Sequence, residues 1–301
     1  MKINYNNLEL FWYFISERHG IYKKRTLLNI SPPWTDNQIL SEYRFTNVFR
    51  DLDPGTRFVI EYIIPNCLNS EELLFNIIIY RLYNKIDTFL SAWKQNPYSF
   101  DRNELEEKIR NHVKKWNKAF TWAFIVSWYS FLKSEGDKIA RISKIIQDIS
   151  LLISNLVRDI NKNKDSAFTF ACIKNLVWIW DFLAYQICVD FWYAKPLLYN
   201  ENEHVVAWPW CKRWLWWIFP DKWILSYEDL IFWLEKNQFS WFANMGIDLN
   251  NLFSDREDKK LNIMAIENCL CEFSKYMKAL TLSWRPRNRF KSSGLINVKK
   301  D

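Results

Sequence analysis

The chain has 301 residues, of which 49% are hydrophobic and 25% charged, and its formal net charge is +7. These proportions are ordinary for a folded protein and exclude the disordered and fibrous classes. No run of 18 apolar residues without charge occurs, so a membrane span is not expected. The six cysteines form no CxxC pair and only three histidines accompany them, which predicts reduced thiols in a cytoplasmic protein without a metal site or disulfides.

Apolar residues recur at spacings of three and four along most of the chain, which predicts helices. In chain order the predicted helices are 8–25, 39–52, 70–93, 140–160, 173–193, 227–238 and 263–280. Capping residues mark three helix starts, at Ser70, Asp101 and Ser226. No stretch alternates with period two for long enough to build a sheet. The sequence therefore predicts a mainly α fold with no extensive sheet.

The predicted organisation is a single helical domain over residues 1–284, with two lobes at about 1–135 and 136–284, and a basic flexible tail at 285–301. Residues 278–301 carry seven Lys and Arg against one Asp. Together with Phe290, which can stack on a base, this charge suits a polyphosphate backbone, because each neutralised phosphate releases a counterion. The alternative is a tail that only increases solubility.

Four segments resemble a known family: "FWYFISERHGIYKKR", "PPWTDNQILSEYRFTNVFRDLD", "FLAYQICVDF" and "IENCLCEFSKY". In this order they look like the helical domain of phage-type 5-hydroxymethyluracil DNA kinases and the related α-glutamyl/putrescinyl-thymine pyrophosphorylases, over roughly residues 10–290. The resemblance implies a fold similar to helical DNA glycosylases and DNA with modified bases as the partner. It also implies, for some members, anti-phage DNA glycosylase activity.

The chain has 18 tryptophans and only 5 glycines. The resemblance implies glycine where this chain has Trp178, Trp180, Trp208 and Trp210, and Trp122, Trp128 and Trp284 look similar. We therefore interpret these tryptophans as UGA codons from an organism that reads UGA as glycine. Glycine is the usual residue at positive φ and where backbone approaches a phosphate. The alternative is a genuine aromatic cluster, either a base-stacking platform or a patch at a membrane interface.

With glycine at 178 and 180, "NLVWIWDFLAYQICVD" becomes a helix-hairpin-helix-like element whose backbone N–H groups can approach a DNA phosphate. Gln186 lies on its second helix as a candidate DNA contact. Asp190, near the end of that helix, is the expected catalytic carboxylate. Such a group stabilises an oxocarbenium-like sugar or activates water when a glycosidic bond is cleaved. The alternative for Asp190 is an exposed aspartate at a helix end.

Two segments supply further candidate DNA-binding residues: Arg18, Tyr22 and Arg25 in "ERHGIYKKR", and Tyr43, Arg44, Asn47 and Arg50 in "EYRFTNVFR". In a helix, spacings of three place the second set on one face. The amide of Asn47 would read a flipped base while tyrosines stack and arginines hold phosphates. A salt-bridged amphipathic helix is the alternative. The remaining DNA-binding candidates are Asp36, Lys212, Arg213, Arg285 and Arg287.

In "IENCLCEFSKY", Lys275 is a candidate Schiff-base former that would add lyase activity, with Glu272 beside it; a simple surface ion pair is the alternative. No GxxxxGK[ST] loop occurs, even with every tryptophan rewritten as glycine, so a P-loop kinase by itself is not expected.

The leading expectation is a DNA glycosylase-like enzyme, without cofactor or metal, that flips hypermodified pyrimidines out of DNA. The first alternative is a hypermodification enzyme, a pyrophosphorylase or transferase, that acts on thymine or hydroxymethyluracil. The second is a non-catalytic helical DNA-binding module that escorts a partner modifying enzyme.

Overall fold

The computed structural model describes residues 1–121, 134–194, 203–221, 225–283, 286 and 289–290. Within these ranges the secondary structure is helical apart from one isolated β-bridge, between Tyr43 and Arg289. The prediction of a mainly α fold without an extensive sheet is confirmed.

The α-helices are α1 (Tyr5–Tyr22), α2 (Gln38–Glu42), α3 (Pro54–Phe58), α4 (Ile64–Asn66), α5 (Ser70–Tyr83), α6 (Ile86–Ala92), α7 (Arg102–Lys114), α8 (Lys138–Asn163), α9 (Ser166–Lys174), α10 (Asp181–Trp192), α11 (Pro209–Ile218), α12 (Tyr227–Asn244), α13 (Leu249–Leu252) and α14 (Ile263–Leu280). Two π-helical segments, Lys23–Leu27 and Val59–Ile63, continue α1 and α3. Short 3-10 helices lie at Arg50–Leu52 and Pro97–Ser99.

The chain forms two units, one of which is discontinuous in sequence. Unit 1 comprises Met1–Arg50 and Val205–Asp301, and unit 2 comprises Asp51–His204. These boundaries differ from the expected division into lobes near residue 135. The physical reason is that α1 packs against α11, α12, α13 and α14, so the N-terminal helix shares a core with the C-terminal third of the chain.

The core of unit 1 is built on α1 and α14, which are both apolar along one face. Phe11 of α1 lies edge-on to Phe273 of α14, with ring centroids 5.5 Å apart, and Trp12 is fully buried against Phe242 of α12. Such aromatic pairs contribute about 0.5–1.5 kcal/mol beyond the area they bury. The bounds of α14 agree with the predicted helix 263–280, and a capping box at Ser226 starts α12 as predicted.

The core of unit 2 is built around α5, which contacts α6, α8 and α10 and is buried along nearly all its length. The predicted helix 70–93 is wrong in one respect, because Asn84 has φ 50° and ends α5 in the left-handed conformation. Asparagine tolerates that conformation better than other non-glycine residues. The N-cap of α5 is Asn69, whose side chain accepts from the Glu72 N–H, and Ser70 is the first helical residue.

The predicted helix 39–52 is also wrong, because α2 ends at Glu42 and Tyr43 is extended. The backbone that follows obtains its hydrogen bonds from side chains of other helices. The N–H of Thr46 donates to the carboxylate of Glu272, and the carbonyls of Thr46 and Asn47 accept from Arg18. Since these partners satisfy the polar groups that a helix would pair internally, the segment can remain extended.

A search of the described helices finds none with the length and apolarity that crossing a lipid bilayer requires.

Candidate nucleic-acid interface

Unit 2 contains a tight turn between α9 and α10, where the sequence predicts a helix-hairpin-helix-like element. The apolar period of 173–193 predicts one helix, but α9 ends at Lys174 and α10 begins at Asp181. A turn closes through the N–H of Ile179, which donates to the Leu176 carbonyl at 3.1 Å. Its third residue, Trp178, has φ 69°, at the position that takes glycine in type II turns.

The other tryptophans that we interpret as UGA codons for glycine have negative φ or lie outside the described residues. Trp180 and Trp208 are the N-caps of α10 and α11, with φ −92° and −80°, and neither side chain caps its helix by a hydrogen bond. Glycine is acceptable at an N-cap, whereas an indole offers no acceptor oxygen. Trp210 lies in the first turn of α11 and is half-exposed. Trp122, Trp128 and Trp284 lie outside the described residues.

Asp190, the expected catalytic carboxylate, is fully buried on α10 and accepts two hydrogen bonds from the Arg81 guanidinium of α5. Burial lowers the pKa of Arg81, but the carboxylate outweighs burial and raises the pKa overall. The pair joins two core helices, α5 and α10. Asp190 is therefore not the exposed aspartate of the alternative interpretation, and both of its carboxylate oxygens are bound by Arg81. Gln186, one turn earlier on α10, is also buried.

Unit 1 contains a cleft that brings four predicted DNA-binding residues together. The predicted residues in its lining come from α1, the adjoining π-helical segment and the extended segment after α2: Arg18, Arg25, Tyr43 and Asn47. Ile21, Leu40, Phe45 and Thr46 also line the cleft and are not among the predicted DNA-binding residues. Phe290, which is predicted only as part of the basic tail, lines it too.

The arginines around this cleft have different roles. Arg18 is buried and its guanidinium donates to the backbone of Thr46 and Asn47 and to the Cys269 thiol, so it supports the cleft wall. Arg25 is half-buried and lies over the Phe290 ring, 5.3 Å from its centroid. Arg44 is exposed. Burial, followed by the positive charge of Arg44, lowers the pKa of Arg25.

The end of the described chain lies along the same cleft. The N–H of Phe290 donates to the Glu42 carbonyl at 3.1 Å, and Arg289 forms an ion pair with the Glu42 carboxylate at 3.1 Å. The ring of Trp34 contacts that of Phe290 edge-on, with centroids 5.0 Å apart. Glu42, the acid beside the cleft, is therefore already paired with a cation.

Helix α14 carries the two remaining catalytic candidates. Glu272 is buried, accepts from the Thr46 N–H and pairs with Lys275, which is half-exposed. The pair of Glu272 and Lys275 agrees with the alternative of a simple ion pair. Glu272 is nevertheless buried, and its bond to the Thr46 N–H holds the extended segment. Tyr22 is buried on α1 and stacks on His19, with ring centroids 5.8 Å apart.

The other predicted DNA-binding residues lie elsewhere. Asp36 is exposed just before the N-cap of α2, and Lys212 and Arg213 are exposed on α11. Arg50 is half-buried near Glu267. Arg285 and Arg287 lie outside the described residues. In the part of the chain that the structure describes, no group of three or more His, Cys, Asp or Glu side chains could hold a metal ion.

Glu267 on α14 is a buried acid that is not among the predicted site residues. Burial raises its pKa from 4.5 to about 7, although the positive charge of Arg50 and the hydrogen bond from the Cys271 thiol act in the opposite direction. The negative charge of Glu272 adds to the increase. Because Glu267 is only 2% exposed, its protonated form is the one that the unit 1 core favours below neutral pH.

Glu267 is expected to make stability depend on pH. Its pKa is higher folded than unfolded, so its stabilising effect is present below about pH 4.5 and is lost as pH rises through about 7. The loss is about 3 kcal/mol, since one pKa unit corresponds to about 1.4 kcal/mol. Urea unfolding of Glu267→Gln should lack this decrease in the free energy of unfolding between about pH 4.5 and 7. Glu257→Gln, at an exposed site, should keep it; an unchanged pH profile in Glu267→Gln would contradict the assignment.

Comparison with known proteins gives two matches. The family model described as "5-hmdU DNA kinase, helical domain" matches residues 6–283. A 5-hmdU DNA kinase of Bacillus phage SP10 is 27% identical over an alignment 289 residues long that covers 88% of this chain. The chain spans 44% of the length of that relative. No solved structure matches.

These matches correct the expected activity. Both carry the name of a kinase, so the DNA glycosylase expectation is wrong, and so are the pyrophosphorylase alternative and the expectation against a kinase. Without a glycosylase activity, Asp190 and Lys275 have no glycosidic bond to cleave. Neither match supports a function in anti-phage defence. The predicted resemblance to phage proteins that act on hydroxymethyluracil is confirmed by the SP10 match. The match over residues 6–283 shows that this chain belongs to the family of 5-hmdU DNA kinase helical domains.

Proposed function

We propose that this chain takes part in the phosphorylation of 5-hydroxymethyluracil in DNA, and that its own contribution is to hold the DNA during that reaction. The observation that carries the proposal is the match of residues 6–283 to the helical domain of 5-hmdU DNA kinases. The SP10 relative that bears the same name supports it. The net charge of +7 suits a polyanionic partner.

The chemistry of the substrate explains why such an enzyme needs a helical DNA-holding part. The 5-substituent of a pyrimidine lies in the major groove of DNA. A phosphate donor reaches that hydroxyl only if the duplex is held in a fixed register. Contacts to backbone phosphates set the register without depending on base sequence.

The turn between α9 and α10 is the part of unit 2 that suits a backbone phosphate. The first N–H groups of a helix have no partner within it, and the N-terminus carries a partial positive charge. In α10 the first intrahelical bond runs from Ala184 N–H to the Trp180 carbonyl, so residues 181–183 contribute the early N–H groups. Lys174 pairs with Asp181 at 3.1 Å and offsets its negative charge.

A matched pair of variants tests this contact. Asp181→Pro removes the carboxylate and the N–H of the first residue of α10, whereas Asp181→Ala removes only the carboxylate. Proline is tolerated at this position, and Trp180 before it is extended, with ψ 168°, as a residue before proline prefers. We expect Asp181→Pro to bind duplex DNA about tenfold more weakly than Asp181→Ala, because one charge-assisted hydrogen bond is lost.

Fluorescence anisotropy on a labelled duplex at one fixed salt concentration measures the difference. Circular dichroism of both variants serves as the control for folding. Equal affinities of two folded variants would contradict the contact at α10.

A further inference from the structure

An aromatic side chain of the chain itself fills part of the unit 1 cleft. The ring of Phe290, which lines the cleft, lies under the guanidinium of Arg25, whose Cζ is 5.3 Å from the ring centroid. The Trp34 ring contacts it edge-on, with centroids 5.0 Å apart. Both contacts depend only on the face and edge of a flat aromatic ring. The space between Arg25 and Trp34, which we call the ring site, therefore suits aromatic groups other than phenylalanine.

The walls of the ring site are held by bonds that do not involve Phe290. The indole N–H of Trp34 donates to the Ile30 carbonyl at 2.7 Å, and the Trp34 carbonyl accepts from the Lys24 ammonium at 2.7 Å. Arg25 follows Lys24 in the π-helical continuation of α1. Since the walls are organised in advance, another ring can take the place of Phe290 at a small entropic cost.

Phenylalanine leaves one polar group of the cleft unsatisfied. Arg18 lines the cleft and is 6% exposed, and its Nε–H is buried without an acceptor in the part of the chain that the structure describes. A buried donor without an acceptor costs stability, and the benzyl ring of Phe290 has none to offer. A pyrimidine base is also a flat ring, but it carries carbonyl oxygens on its edge.

The segment that brings Phe290 to the ring site is attached by contacts that DNA can replace. The ion pair of Arg289 with Glu42 lies at the surface, with the side chains 57% and 47% exposed. Such a pair contributes little and is screened by salt. The phosphates of a bound strand compete with the Glu42 carboxylate for Arg289, because arginine recognises both groups in the same way.

We propose that the ring site binds an unpaired nucleobase of DNA, and that Phe290 fills the site when DNA is absent. The proposal rests on the proposed function only in taking DNA as the ligand. The base stacks on the Arg25 guanidinium, as bases do on arginine and aromatic side chains in proteins that bind single strands. Phe290 is then an internal competitor, so its removal should strengthen binding.

The test uses the whole chain and a fluorescein-labelled single strand of thymidines, followed by anisotropy at one salt concentration. We expect Phe290→Ala to bind this strand about fivefold more tightly than the wild type, because an aromatic and a cation–π contact no longer compete with the base. Phe239→Ala is the matched control. It removes the same ring from an exposed position on α12 and should bind like the wild type.

A strand of the same length with abasic sugars separates the base from the backbone. It carries the same phosphates and no rings, so Phe290→Ala and the wild type should bind it equally. An equal gain on both strands would show that Phe290 obstructs the backbone only. That result, or no gain on the thymidine strand, would overturn the proposal.

A second variant tests the wall of the ring site. In the Phe290→Ala background, Trp34→Ala should weaken binding of the thymidine strand about fivefold and leave the abasic strand unaffected, because an aromatic contact to the base is lost. Unchanged binding of the thymidine strand by this double variant, shown by circular dichroism to be folded, would also overturn the proposal. The Asp181 variants are measured on duplex, so failure of the ring site is distinct from failure of the proposed function.

Discussion

Asp190→Asn is expected to lower the free energy of unfolding by about 3–5 kcal/mol, because it leaves the buried Arg81 guanidinium without its counter-charge. Asp181→Asn is the matched control: it removes an aspartate from the other end of α10, where the ion pair with Lys174 is exposed, and should cost no more than about 1 kcal/mol. Urea unfolding followed by circular dichroism measures both.

A compensating double variant tests the same pair from the other side. Arg81→Met with Asp190→Leu replaces the ion pair by apolar side chains and should recover most of the stability lost in Asp190→Asn. If the free energy of unfolding of Asp190→Asn equals that of the wild type, the ion pair of Arg81 and Asp190 does not stabilise the core of unit 2. If the account holds, any activity lost in Asp190→Asn follows from unfolding and carries no information about catalysis.

Replacing Trp93, Trp116 and Trp178 together with glycine is expected to raise the free energy of unfolding by on the order of 4 kcal/mol, since a non-glycine residue in a left-handed or glycine-type conformation costs about 1–3 kcal/mol. All three have positive φ, at 55°, 66° and 69°. Trp116 follows the C-cap of α7 and is 98% exposed, so glycine there removes strain and no contact. Trp93 should contribute least, because its ring contacts Tyr62.

Trp12→Gly is the control for this substitution. Trp12 is fully buried in the middle of α1, and its loss should destabilise the protein by at least about 3–5 kcal/mol. The interpretation of misread UGA codons predicts UGA in the gene at position 178. The positive φ of Trp93 and Trp116 extends the same expectation to positions 93 and 116, whereas position 12 should be UGG. A triple variant that is less stable than the tryptophan protein, or UGG at the three positions, would contradict the interpretation.

The helices could be predicted where one apolar face repeats without interruption, as in α14, and where a local cap marks the start, as at Ser226. The extended segment after α2 could not, because its backbone is satisfied by Arg18 and Glu272 from distant parts of the chain. Its residues have helical spacing, but spacing does not reveal competing partners.

The candidate site shows the same limit. Arg25, Tyr43 and Asn47 were chosen from local motifs and do line one cleft. The ion pair of Asp190 could not be predicted, because its partner Arg81 is 109 residues away in the sequence and no local pattern indicates it. The burial that raises the pKa of Glu267 likewise comes from the packing of the helices rather than from its neighbours in sequence.

Whether this chain supports phosphorylation of 5-hydroxymethyluracil can be measured by replacing the matching part of the SP10 5-hmdU DNA kinase with this chain and following transfer of labelled phosphate from ATP to DNA. Duplexes with 5-hydroxymethyluracil and with thymine at the same positions are incubated with the chimera, digested to nucleotides without a phosphatase, and separated. We expect label on the hydroxymethylated nucleotide and none on the thymine nucleotide. An unlabelled hydroxymethylated nucleotide, with the chimera shown by anisotropy to be bound to the duplex, would contradict the proposed function.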